Sequence, residues 1–153
     1  MSFIQTKNVF DHITEFKNDI CEFLQTRLNL ETSVRSRMLL TYSLNWHKKS
    51  VEEVEEFGKR LDGQLLETWI QFRPECLYKS FDDYLPPIKS FFDSDQIIDA
   101  NIEWNKHVIT LYEDVHEATQ SQLLKEAFSL LKAKELTLRN EMVNCIQEFQ
   151  QIL

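Results

Sequence analysis

Apolar residues between positions 124 and 152 recur at alternating spacings of three and four: Leu124, Phe128, Leu131, Leu138, Met142, Cys145, Phe149 and Ile152. Glu135 is the one charged residue on that line. This spacing is the one left-handed helix packing uses, and it predicts a helix over about 120–152. A second stripe runs through Leu40, Leu44, Val51, Val54, Phe57, Leu61, Leu65, Trp69 and Phe72, with His47 at its centre. Glu52, Glu53, Glu55, Glu56, Lys59 and Arg60 fall off it, and its phase survives Gly58 and Gly63. It predicts one helix over about 32–72. Phe10, Ile13, Ile20 and Leu24, flanked by Phe16 and Phe23, predict a helix over about 3–29. Ile97, Trp104, Val108, Leu111, Tyr112 and Val115 predict another over about 95–118, with Ser94 as N-cap and Asn101 and Asn105 on its inner side.

All three prolines, Pro74, Pro86 and Pro87, lie in "RPECLYKSFDDYLPPIKSFFDS", which leaves the flanking stretches free to be helical. Short links near residues 30 and 119 make two antiparallel hairpins, and a connector of about 73–94 can run the length of a bundle as extended chain. A helical turn is expected near "YKSFDDYL". Only two glycines occur, too few for a turn-rich β-protein, so the expectation is one all-α domain over 1–153 with no sheet.

Two hairpins joined by one long crossover resemble the ferritin-like superfamily of bacterioferritins and rubrerythrins, over nearly the whole chain. The segment "RSRMLLTYSLNWHKKSVEEVEEFGKRL…LLETWIQFRPE" is also similar to bacterial members of that group. The resemblance implies a four-helix bundle with a di-iron centre. Such a centre takes one Glu from each of two helices and a Glu-x-x-His from each of the other two. Only Glu113 and His116, in "LYEDVHEAT", have that spacing where it is needed. On the first predicted helix, Asp11, Glu15, Asp19 and Glu22 avoid the centre of the apolar face and read as solvated charges. The candidate ligands are therefore His47, Glu135, Glu113 and His116, a degenerate set, with iron or manganese as the metal they would suit. His47 and Glu135 each interrupt an apolar stripe. Unpaired burial is costly, so they are expected to be buried and hydrogen-bonded, His47 being the foremost partner for Glu135.

A net charge of −8 argues against binding to nucleic acid or an anionic membrane. No basic-then-apolar leader and no long uninterrupted apolar run occur, so a cytoplasmic protein is expected. Cys21, Cys76 and Cys145 are far apart and suggest neither a disulfide framework nor a zinc site. No glycine-rich phosphate loop and no Gly-x-Ser-x-Gly elbow is present. The missing ligands and the wide apolar faces point to a non-catalytic bundle acting through protein contacts as a homodimer, with no cofactor. The alternative is a metal-dependent oxidoreductase with an altered carboxylate–histidine site.

Overall fold

The computed structural model describes residues 2–72, 81–84 and 94–152. Strand β1 (Ser2–Gln5) leads into helix α1 (Thr6–Leu30), followed by α2 (Val34–Arg60), a single turn α3 (Gly63–Leu66) and strand β2 (Trp69–Phe72). A 3-10 turn (Phe81–Tyr84), α4 (Ser94–Ala118) and α5 (Gln122–Ile152) complete the described chain. It is an all-α protein with a minor two-stranded sheet. Helix α1 packs mainly on α2, and α4 on α5, while α2 also reaches both α4 and α5. The 3-10 turn falls within the stretch where a helical turn was expected; residues 73–80 and 85–93 of the connector lie outside the described residues.

The helix ends follow from local chemistry. Ser33 caps α2 by accepting from the Ser36 N–H, and Lys59 and Arg60 place positive charge at the carbonyl end of that helix. Between α4 and α5, the Thr119 hydroxyl accepts from the Ser121 N–H and the Ser121 hydroxyl from the Leu124 N–H. These bonds satisfy donors that a helix start leaves open.

The long helix expected over 32–72 is a correction. It stops at Arg60, Asp62 caps a separate turn through the Gln64 N–H, and the chain then becomes a strand. Strand β2 pairs antiparallel with β1 in the register Ile4↔Ile70 and Gln5↔Trp69, so the expectations of no sheet and of a helix starting at residue 3 also fail. The cause is a change of period. Trp69 is 62% exposed and Ile70 only 1%. That alternation belongs to a strand with one face on the core, whereas a continuing helix would have buried Trp69. Thr6 ties the junction down, its N–H and hydroxyl both donating to the Thr68 carbonyl.

The core is contributed by all four long helices. Ile13, Phe16 and Leu24 of α1 and Leu40 and Leu44 of α2 meet Trp104, Val108 and Leu111 of α4 and Leu124, Phe128 and Met142 of α5. Ile70 of β2 and Phe81 of the 3-10 turn extend it. Among the described residues no helix is long and apolar enough to cross a membrane.

Candidate functional site: a buried polar centre

Eight polar side chains interrupt this core, and every long helix supplies at least one. They are Lys17 from α1, Ser43, His47 and Ser50 from α2, Asn101, Asn105 and Tyr112 from α4, and Glu135 from α5. Lys17 lies on the inner line of α1 with Ile13, Ile20 and Leu24, and is 1% exposed. Its ammonium donates to both carboxylate oxygens of Glu135, at 2.9 Å each, and to the Ser50 hydroxyl at 2.7 Å. An ammonium has three donors, and these three acceptors satisfy them all. Glu135, 4% exposed, is thereby neutralised inside the core.

Glu135 is thus buried and bonded, as its place on the apolar seam implies. The expected His47 partner is a correction: the carboxylate pairs with Lys17, and His47 with Asn101. The orientation of Asn101 fixes the proton on that imidazole. Asn101 Nδ2 donates to the Ile97 carbonyl at 2.7 Å and to the Ser43 hydroxyl at 3.1 Å, so its Oδ1 faces His47 Nε2 and accepts from it. His47 Nδ1 is then a bare lone pair, and no protein group donates to it. Burial pushes the His47 pKa down to about 4; the Asn101 bond opposes the shift and the Lys17 charge adds to it. The imidazole is neutral at pH 7. Trp104 stands edge-on to it, ring centroids 5.8 Å apart.

Asn105 Nδ2 and the Tyr112 hydroxyl are also buried without a hydrogen-bond partner. Burial pushes the Tyr112 pKa well up, with the Glu135 charge adding to the effect, so the phenol keeps its proton. A crevice of about 20 Å³ lined by Ser50, Glu53, Tyr112, Lys134, Glu135 and Leu138 reaches this end of the cluster.

The other two candidate ligands do not join the centre. Glu113 is exposed and pairs with Lys132 of α5 at 3.2 Å. His116 is half-buried, and its carbonyl accepts from Lys125 at 3.2 Å. Among the described residues no three of His, Cys, Asp and Glu lie close enough together to hold a metal ion. The donor set therefore does not fit a di-iron centre: of the four candidate ligands one carboxylate and one imidazole are buried, and the carboxylate is held by an ammonium. Lys17 is the residue that the sequence reading passed over. It sits four positions after Ile13 and three before Ile20, so the criterion that singled out His47 and Glu135 applies to it equally. No family model, no curated protein and no solved structure matches this chain.

Proposed function

We propose that the chain is a ferritin-like four-helix bundle, two antiparallel hairpins joined by a crossover, that works without catalysis through protein contacts. The observation that carries this reading is the Lys17 ammonium on both oxygens of Glu135. In a carboxylate-bridged metal centre those lone pairs face a cation. Here a covalently tethered cation takes them, and Ser50 completes its bonding. To bind metal at Glu135, the protein would have to displace a buried ammonium and leave it without its partner.

A second copy of this chain is the contact we propose. Val34, Met38 and Tyr42 are exposed at four-residue spacing along one ridge of α2, with half-buried Trp46 next in line. Such a ridge is self-complementary about a two-fold axis, because apolar surface meets its own kind without charge repulsion. Light scattering is expected to give a dimer, and the Val34→Glu/Met38→Glu double variant a monomer of unchanged helicity. A monomeric parent would overturn the homodimer.

The metal-dependent oxidoreductase reading draws on one observation, the unpartnered Nδ1 lone pair of a buried, neutral His47. Metal analysis of the purified protein separates the two readings. Stoichiometric iron or manganese that is lost in Glu135→Ala would replace the non-catalytic reading with this one.

A further inference from the structure

Away from the polar centre, His12 of α1 and His107 of α4 point their Nε2 atoms at each other, 3.3 Å apart. Zinc–imidazole bonds run about 2.0–2.1 Å, so two nitrogens bound to one tetrahedral zinc ion stand about 3.3 Å apart. The pair has the bite of a metal chelate. It is also held from behind. His107 Nδ1 and the Tyr84 hydroxyl are 2.8 Å apart, and the His107 ring packs against Phe16 and Tyr84 at centroid distances of 4.5 and 4.6 Å. In the tautomer that donates Nδ1–H to the phenol oxygen, His107 Nε2 presents its lone pair to His12. An outer hydrogen bond of this kind fixes the tautomer and orients the ring of a ligating histidine.

We propose that His12 and His107 form a two-imidazole site for a late first-row divalent cation, with Zn2+ or Ni2+ as the type ligand. Imidazole nitrogens suit these ions better than they suit magnesium or calcium. His107 is buried and His12 half-buried, so the site opens to solvent on the His12 side. Among the described residues no third His, Cys, Asp or Glu completes it. Burial lowers the His12 pKa, against a smaller upward pull from Glu15, so His12 is a neutral ligand at pH 7. In that tautomer of the metal-free protein, His12 Nε2–H donates to His107 Nε2. On binding, that proton moves to His12 Nδ1 through solvent, and both Nε2 lone pairs meet the cation with no net proton release. The ion would clip α1 to α4.

The test is a titration of chelator-treated protein with zinc chloride and, separately, nickel chloride, followed by calorimetry and thermal melting. One equivalent per chain is expected. At about 100 times the dissociation constant the melting temperature should rise by about 5–10 °C. His12→Gln should weaken binding at least tenfold with the helical signal unchanged, and His116→Gln should bind as the parent does. Should His12→Gln not fold, the imidazole nitrogen resonances of the parent decide instead: those of His12 and His107 must shift on zinc addition while those of His47 stay. No binding, undiminished binding by His12→Gln, or a shift at His116 alone would overturn the site. None of these outcomes touches the proposal for the polar centre, whose test is iron or manganese held through Glu135.

Discussion

Replacing Glu135 by alanine removes the counter-charge from an ammonium that is 1% exposed. Of the three bonds made by Lys17 Nζ, only that to Ser50 survives. Breaking a buried pair from one side costs about 3–5 kcal/mol, because the remaining charge is left desolvated. In a chain of this length 1 kcal/mol moves the melting temperature by about 2–4 °C, so a drop of about 6–20 °C is expected. Glu135→Gln keeps an oxygen for Lys17 but not the charge, and should fall between. Lys17→Met should cost about as much as Glu135→Ala, since it strands the carboxylate. Joined to Glu135→Leu, it leaves two apolar groups of similar volume facing each other, and the double variant should return to within about 1–2 kcal/mol of the parent. Urea unfolding followed by circular dichroism measures all of these on one scale. A Glu135→Ala stability within about 0.5 kcal/mol of the parent, or a double variant as unstable as the sum of Lys17→Met and Glu135→Leu measured singly, would refute the buried pair.

Ile70→Ala should destabilise by about 2–5 kcal/mol and Trp69→Ala by less than about 1 kcal/mol, since Ile70 is buried and Trp69 exposed; the reverse order in urea unfolding would mean that α2 continues through this segment. His47 binds protons in the unfolded chain below its ordinary pKa of 6.5, and in the folded chain only below about 4. Stability is therefore full above about pH 6.5, and about 3 kcal/mol of it is lost as pH falls towards 4; His47→Gln should remove that part of the slope, and an unchanged slope would refute it.

The parts of this fold written as periodicity were legible in the sequence. Most stripe positions of α1, α2, α4 and α5 are buried, with Phe57 and Phe149 half-buried, and the two residues that break the stripes of α2 and α5, His47 and Glu135, are buried with them. Precision fades along a seam. Cys145 was expected on the α5 line, yet it is half-buried and Ile146 is buried. A straight helix drifts about 20° per heptad from a strict seven-residue repeat, enough to exchange neighbours by the sixth turn. The pairing of Glu135 was not legible. Lys17 lies 118 positions away, and a lysine on an apolar stripe can equally send its ammonium out along its stem. Strand β2 was missed because Leu61, Leu65, Trp69 and Phe72 fit a helical phase, while the evidence for a strand, pairing with residues 2–5, is distant in sequence.

A helical core could do without a centre of this kind on stability alone, since well-packed apolar side chains often serve as well as a buried ion pair. Register is what apolar seams specify poorly. Sliding α5 by one turn, about 5.4 Å, would still bring Leu or Met against the core, but it would pull Glu135 off Lys17 and leave two buried charges unpaired. The hypothesis that the centre selects register is motivated by its distribution, with α1 tied to α2 and α5 through Lys17, and α2 tied to α4 through His47 and Asn101. It predicts that Lys17→Met/Glu135→Leu, though near the parent in stability, loses uniqueness: broadened or doubled amide resonances along α5 and a weakened near-ultraviolet signal from Trp104. A double variant with one sharp set of resonances would show that shape complementarity among Phe16, Leu44, Trp104 and Phe128 fixes the register without the charges.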